Sequence, residues 1–263
     1  MKRRFVSSLL LLVLLISSVT TANAAPMGDK EWEDRKAYLE QNIIALGGQD
    51  FETVENWLFL NGFQDVEVVQ NDDNFIQPLS TNANVSITNF DAYYDTRSSR
   101  YLIKGWWIWK STSYLDLSAG AVDGIMLAMY NSNFAPVTGY EYASSNPTGI
   151  AVYDQNGTHY PDVGGLENVS GSGLVWTFQD YYDWNDYVGF KGQAWAWLDK
   201  KPTDSTVYLK LDYRHTYTSA TFDSGTISWE SGSKAPSISL SFSDAPQAWT
   251  ATNIYKILSW PNN

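Results

Sequence analysis

Hydrophobic and polar side chains alternate with a period of two residues from about residue 84 onward, which is the pattern of β-strands. The alternating segments predict strands near 84–94, 101–110, 123–130, 149–154, 173–179, 190–198, 206–217 and 236–243. Turn-forming residues separate these segments, and Asn156-Gly157 is the strongest hairpin signal among them. The segment from Ala251 to Trp260 predicts either a short terminal helix or a last strand. The pattern therefore predicts a mainly β protein, an antiparallel two-sheet sandwich or jelly-roll-like fold.

The pattern before residue 70 is helical instead. Trp32, Leu39 and Ile43 fall at helical spacing, and Gly47 ends the run. A second, shorter helix is predicted to begin at Asp50. The two helices are too small to fold alone. We expect them either to cap one end of the sheet or to form a removable pro-segment.

Residues 1–24 have the layout of a secretory signal peptide. A basic start from Lys2 to Arg4 precedes an apolar core, and Ala22-Asn23-Ala24 forms a cleavage site. The core is shorter than the roughly 20 residues that span a bilayer as a helix, so we expect cleavage and secretion rather than a membrane anchor. No later segment predicts a transmembrane helix.

The expected organisation has three parts: a signal peptide at 1–24, a helical N-terminal segment and linker at 25–74, and a β-sandwich domain at 75–263. The chain has no cysteine, which excludes a disulfide scaffold, a cysteine nucleophile and thiolate zinc sites. An exported protein without disulfides favours a Gram-positive bacterium as its source.

The net negative charge of the chain limits the classes of ligand that it can bind. The whole chain has 17 basic and 29 acidic side chains, and losing Lys2, Arg3 and Arg4 with the signal peptide leaves 14 against 29, a net charge of −15. Such acidity argues against nucleic acid, whose binding depends on Lys and Arg at phosphates, and against anionic lipid. It is compatible with neutral polysaccharides, cationic peptides or bound calcium. The oligomeric state is not indicated.

Several tryptophans share strand faces with polar residues. Trp195 and Trp197 do so in the predicted strand 190–198, and Trp106 does so in 101–110. Polar neighbours indicate that these faces meet solvent. An exposed ring beside polar groups can stack on the apolar face of a sugar while the sugar hydroxyls bond to its neighbours. In the alternative interpretation, the rings fill a second core beneath the helical cap or a loop.

Carboxylates alternate with aromatic residues in the segment 178–187, which includes Tyr182 and Trp184. Its three acids are Asp180, Asp183 and Asp186. Calcium prefers carboxylate and carbonyl oxygens, although the spacing is not that of an EF-hand. The segment could equally be the rim of a carbohydrate groove or a solvated acidic loop. We expect no cofactor, with calcium as the alternative.

The predicted ligand-binding surface is therefore built from aromatic side chains. Its residues are Trp106, Tyr182, Trp184, Trp195, Trp197 and Tyr208. No catalytic or metal-binding residue is assigned. The leading hypothesis is a secreted binding protein for a carbohydrate or another cell-envelope component.

Three other hypotheses stay open. A glycan-active hydrolase needs two carboxylates across a cleft, and Glu141 and Glu230 are the acids best placed among aromatic residues. A membrane-active β protein would use the Ser/Thr-rich stretch 216–243, which alternates like an inserting hairpin. The apolar residues change from even-numbered positions at Phe222 to odd-numbered positions at Ile227, which interrupts the alternation. A half-buried pair of ordinary antiparallel strands explains the pattern as well. The third hypothesis is a protein that binds another protein and antagonises it.

The two histidines indicate little chemistry. His159 follows the Asn156-Gly157 turn and is expected to be exposed, whereas His215 extends an apolar strand face and is expected at the edge of the core. Two histidines exclude a three-histidine metal site. No Gly-x-Ser-x-Gly motif accompanies them, so a serine hydrolase has no support.

Several aromatic motifs give the chain a further resemblance. They are Tyr93 to Asp95, Gly105 to Trp109, Trp176 to Asp180, Tyr213 to Thr216 and Ile238 to Ser243. In combination they resemble secreted aromatic-rich β proteins of Gram-positive bacteria, which pair a short helical N-terminus with an aromatic β domain. The resemblance covers most of the chain after the signal peptide. It implies secretion and a β-rich fold, and it implies no activity.

Overall fold

In a computed structural model of the chain, the described residues form two helices followed by fifteen strands. The structure describes residues 27–44, 46, 51–69, 84–111, 122–144, 146–170, 173–218, 220–229, 235–257 and 260. The predicted signal peptide, Asp50 and Glu230 lie outside the described residues. The helices are α1 (Asp29–Ile43) and α2 (Phe51–Leu60).

The strands follow the predicted alternation closely. They are β1 (Val66–Val68), β2 (Val85–Asp95), β3 (Arg100–Trp109), β4 (Asp123–Tyr130), β5 (Glu141–Tyr142), β6 (Thr148–Tyr153), β7 (Gly165–Ser170), β8 (Gly173–Phe178), β9 (Tyr181–Asp183), β10 (Asp186–Val188), β11 (Lys191–Lys200), β12 (Val207–Thr216), β13 (Phe222–Ser228), β14 (Ser237–Phe242) and β15 (Ala248–Ile257). All eight predicted strands are present. The ambiguous C-terminal segment is strand β15, because it pairs with β12 over ten residues.

Two antiparallel sheets form a sandwich, which confirms the predicted fold class. In sheet A the order is β1-β2-β3-β11-β5, and β6 also pairs with β11. In sheet B the order is β15-β12-β4-β8-β7. Strands β9 and β10 form one separate hairpin, and β13 and β14 form another.

Large aromatic residues fill the space between the two sheets. Trp107 and Trp109 of β3 point inward and meet Trp176 of β8 and Tyr213 of β12, and all four are almost fully buried. Gly192 lies on the neighbouring strand, where an added Cβ would fall 2.2 Å from the Trp107 ring. The inward tryptophans therefore need a glycine beside them. Adjacent residues in a strand point to opposite sides of the sheet. The side chains that fill this core therefore determine which of their neighbours point to the outer faces of the two sheets.

The helical cap, α1 and α2, packs on the outer face of sheet A. Trp32 of α1 meets Trp197 of β11 edge to face, with ring centroids 5.2 Å apart. The Arg100 guanidinium lies 4.1 Å from the Trp32 ring centroid. Below them the Lys104 ammonium donates to the carbonyl of Leu46, just beyond the end of α1, at 2.7 Å. The helices thus cover a face of sheet A and not one end of it, and the removable pro-segment stays a prediction.

The outer hairpin, β13 and β14, packs on the outer face of sheet B. Its apolar side chains include Ile238 and Leu240, which meet Met126 and Val175 of the sheet. The backbone N–H of Ile238 donates to the carboxylate of Asp212 at 3.1 Å. The molecule is therefore a stack of four layers: cap, sheet A, sheet B and outer hairpin. Within the described residues, neither helix is long and apolar enough to cross a bilayer.

Candidate functional site

The outer face of sheet A continues beyond the helical cap and carries Trp106. This ring points outward because its neighbour Trp107 fills the inner core. Trp106 is half-buried and lies outside all three apolar clusters of the described chain. It is thus an aromatic side chain that the fold does not use as core.

Three aromatic side chains form a row on this face, and we call Trp106, Tyr153 and His159 the aromatic row. The ring centroids of Trp106 and Tyr153 lie 6.2 Å apart with an interplanar angle of 32°, and those of Tyr153 and His159 lie 5.0 Å apart at 35°. Tyr153 ends β6, and His159 faces it across the Asn156-Gly157 turn in an isolated bridge. His159 is exposed, as predicted.

A buried amide lies beneath the row. Gln193 of β11 is opposite Trp106 in the sheet register and is only 1% exposed. Its Nε2 donates to the Tyr153 hydroxyl at 3.2 Å, and its Oε1 has no hydrogen-bond partner among the described residues. Burial raises the pKa of Tyr153, so the phenol is neutral at neutral pH. Because the hydroxyl oxygen accepts from Gln193, its proton is available to a ligand.

The hairpin of β9 and β10 lies beside the same end of sheet A. Gln155 and Asn156 donate to the Asp186 carboxylate at 2.9 and 2.7 Å, which ties the hairpin to the turn between Tyr153 and His159. At its tip Trp184 is 96% exposed and has φ of +58°. A bulky residue with positive φ is a backbone outlier. Of the two predicted residues here, Trp184 is the more exposed, and Tyr182 is 39% exposed.

Trp195 and Trp197 are not on an open surface, so the expected solvent exposure of this face is wrong. Trp197 is 1% exposed and Trp195 is half-buried. Both indole N–H groups donate to the same Oε1 of Glu40 in α1, at 3.0 and 2.9 Å. The Trp195 ring also lies close over Gly149, where an added Cβ would fall 2.1 Å from a ring carbon. The second-core interpretation is the one that the structure supports.

The remaining predicted residues lie elsewhere. Tyr208 lies on sheet B and stacks on Tyr130 at 5.1 Å, and Tyr130 stacks on Phe134 at 6.0 Å. Glu141 is exposed and pairs with Lys200 at 3.4 Å. The structure therefore does not bring the six predicted aromatic residues into one surface. Trp106 alone belongs to the aromatic row.

The three acids of the predicted calcium segment do not converge. Asp183 is exposed on the hairpin, and Asp186 is held by Gln155 and Asn156. Asp180 is instead buried in the sandwich, 3% exposed. In the described part of the chain these acids form no joint group of metal-ligating side chains, since Asp180 groups with residues of two other strands.

Asp180 belongs to a buried Asp–His cluster, made of Asp123, Asp180 and His215. Nδ1 of His215 lies 3.0 Å from Oδ2 of Asp123 and 3.6 Å from Oδ2 of Asp180. Hydroxyl groups complete it: Tyr213 donates to Asp123 at 2.5 Å, and Tyr187 donates to Asp180. Burial and the neighbouring Asp123 carboxylate raise the pKa of Asp180 to about 8. His215 is buried and hydrogen-bonded, as expected at the core edge.

Sequence reasoning missed most partners of Trp106. The position of Gln193 could have been predicted, because alternation places its side chain on the outward face of its strand. Tyr153 and His159 flank a predicted turn, but nothing in their local sequence brings them to β3. Asp123 had no signal, since an acid at the start of an apolar strand is usually a solvated residue. Its partners lie 57 and 92 residues away in the chain.

No protein-family pattern matches the chain, and no curated protein matches it. Among solved structures, the NetB toxin of Clostridium perfringens in its membrane-inserted form is 10% identical, with 73% of this chain and 96% of that chain covered and a TM-score of 0.31. The delta-toxin of Clostridium perfringens is 11% identical, with 73% and 94% covered and a TM-score of 0.31. A structure on pH-induced modulation of Streptococcus parasanguinis adhesion by Fap1 fimbriae is 11% identical, with 65% and 80% covered and a TM-score of 0.28. Likenesses at these TM-scores carry no functional argument.

Proposed function

We propose that the chain is an exported binding protein for a neutral carbohydrate of the cell envelope or its surroundings, and that the aromatic row is its ligand site. One observation carries the proposal. A half-buried tryptophan that serves no core lies next to Tyr153 and His159, above the unsatisfied acceptor of Gln193.

The chemistry of the row suits a sugar. The indole of Trp106 offers a flat apolar surface on which the C–H face of a pyranose can stack. The Tyr153 hydroxyl and the His159 ring can hydrogen-bond to sugar hydroxyls. The acidic chain, with a net charge of −12, favours a neutral ligand over an anionic one.

A titration with soluble glycans and cell-wall fragments tests this proposal. Binding should give a saturable shift in tryptophan fluorescence. Trp106→Ala should abolish it because the stacking surface is lost, and Tyr153→Phe should weaken it roughly tenfold, since about 1.4 kcal/mol is a typical hydrogen bond. Phe134→Ala is the matched control, because Phe134 is an exposed aromatic residue in the loop after β4, away from the aromatic row.

Reducing-end release, followed in the same samples, separates a binder from a hydrolase. New reducing ends that disappear in Glu141→Gln would favour the glycan-active alternative. If every glycan leaves the fluorescence of the correctly folded protein unchanged, or if Trp106→Ala binds like the unmodified chain, the aromatic row is not the site.

A membrane-active protein is the second candidate, favoured by the geometry of the outer hairpin. The sequence pattern slips between Phe222 and Ile227, which weakens the case for an amphipathic hairpin. The register of β13 and β14 shifts between Phe222 and Ser224, so a β-bulge at Asp223 absorbs the slip. Apolar side chains then meet sheet B along both strands, and Ser and Thr alternate with them. Dye release from liposomes of neutral lipid tests this candidate.

A further inference from the structure

The buried Asp–His cluster brings two carboxylates and one imidazole together from three separate parts of the chain. Asp123 begins β4, Asp180 follows β8, and His215 lies near the end of β12. One potential ligand atom from each residue lies within 4.8 Å of the other two. Asp123, Asp180 and His215 are 0%, 3% and 1% exposed. The sandwich itself therefore holds the three groups in place.

The cluster places two carboxyl groups against a single basic side chain. His215 is the only basic side chain within ion-pair distance of either carboxylate in the described part of the chain. Asp123 is well supplied, since it accepts from Tyr213, His215 and the backbone N–H of Thr216. Asp180 is not, because its Oδ1 is buried without a hydrogen-bond partner among the described residues. A buried carboxylate oxygen without a partner is rare and requires an explanation.

We propose that Asp123, Asp180 and His215 bind a divalent transition-metal ion, with Zn²⁺ as the ion that the donor set fits. Two carboxylate oxygens and one imidazole nitrogen are common zinc ligands. Calcium and magnesium fit less well, since they prefer oxygen ligands only. A bound cation would displace the proton of Asp180 and give its unpartnered oxygen, Oδ1, a ligand bond. The site is distinct from the aromatic row, so it does not depend on the proposed carbohydrate function.

The role of such an ion is structural. Three fully buried ligands at the meeting point of β4, β8 and β12 offer no place for a substrate. Trp109 and Trp249 pack against the His215 ring at centroid distances of 5.0 and 5.2 Å and close the cluster on that side. The ion is therefore expected to enter while the chain folds, and its binding free energy adds to the stability of the fold.

Refolding the full chain from denaturant with Zn²⁺ or with EDTA tests the proposal. Native mass spectrometry should find one Zn²⁺ per chain, and the zinc-refolded protein should melt at least about 5 °C higher than the EDTA-refolded protein. Refolding with Ca²⁺ should give no shift of that size, because calcium does not favour an imidazole ligand.

Two matched variants decide which residues bind the ion. Asp180→Asn keeps the shape of the side chain and removes one of two adjacent buried carboxyl groups, so it should fold without metal and should lose both the bound zinc and the shift in melting temperature. Asp183→Asn, on the exposed hairpin strand, should keep both. Unmodified protein that refolds equally well in EDTA and carries no stoichiometric zinc would overturn the proposal. Zinc that is retained by Asp180→Asn would do so too.

Discussion

The ammonium of Lys104 lies 3.4 Å from the carboxylate of Asp91 between sheet A and the end of helix α1, where the Lys104 side chain is 3% exposed and the Asp91 side chain 14%. Burial lowers the pKa of Lys104 and raises the pKa of Asp91, while each charge opposes the shift of the other. Lys104 also donates to the carbonyl of Leu46. This pair therefore joins the sheet to the helical cap through charge, where the surrounding contacts are apolar.

Removing one partner of this pair should be costly. Lys104→Met leaves the Asp91 charge buried without its cation, so we expect the free energy of unfolding to fall by about 3–5 kcal/mol. The double variant Lys104→Met/Asp91→Asn should recover part of that loss. Urea unfolding measures both. Lys200→Met, which breaks the exposed pair with Glu141, should cost less than about 1 kcal/mol. Equal losses for the two lysines would contradict a buried-pair role.

Asp154 gives the chain a specific pH dependence. Burial raises the pKa of its carboxyl, but hydrogen bonds from Thr158, Gly157 and Asn156 outweigh burial and hold it below 3.8. The folded state thus binds this proton less readily than the unfolded state, so the stabilisation is present above about pH 3.8 and is lost as the pH falls through the folded value. At pH 7, Asp154→Asn should be about 1 kcal/mol less stable.

The difference between Asp154→Asn and the unmodified chain should shrink to nothing in strong acid, in urea unfolding followed from pH 7 to pH 2. Asp162→Asn alters an exposed acid and should follow the unmodified curve throughout. A difference that persists unchanged at pH 2 would mean that Asp154 acts through its shape and not through its charge.

Trp184 should reduce the stability of the hairpin that presents it. In the two-residue loop between Asp183 and Asp186, Trp184 has positive φ and Asn185 does not, a pattern in which glycine is preferred at the first position. Trp184→Gly should therefore raise the free energy of unfolding by about 1 kcal/mol. Asn185→Gly should give no gain. A loss of stability in Trp184→Gly would show that the exposed ring makes contacts that stabilise the fold.

The outer hairpin can be tethered to test the membrane-active candidate. An added Cβ at Gly225 would lie 3.0 Å from Cγ1 of Val175 in sheet B, so Gly225→Cys/Val175→Cys should form a disulfide. The chain has no other cysteine to compete. If the hairpin must leave the sheet to act, liposome dye release should be absent in the oxidised protein and return on reduction. Equal release by both forms would exclude hairpin release as the mechanism.

The strands could be predicted because alternation is a local property. Each predicted strand is present, since side chains at a two-residue period define the buried face of a sheet wherever it pairs. The shorter strands such as β9 and β10 were missed because three residues carry too little pattern. For Trp197, local alternation identified the face correctly, but only the distant Glu40 decides that this face is covered.

The candidate site was less predictable. Trp106 was found because an aromatic side chain among polar neighbours is unusual in one strand. Tyr153 and Gln193 were not, because they reach Trp106 only through the pairing of β6 with β11 and of β11 with β3. Such pairings are set by the whole sandwich and leave no trace in a short stretch of sequence.

The contact between Glu40 and Trp195 joins residues 155 positions apart in the chain, which sets an order of events during synthesis. A ribosome completes α1 early and makes β11 much later. At roughly 5–20 residues per second, the interval is on the order of ten seconds or more. During that time Glu40 has no indole partner, although α1 can already pack against α2, β2 and β3. The cap is therefore assembled in two steps, because its contacts with β2 and β3 can form long before its contact with the indoles of β11.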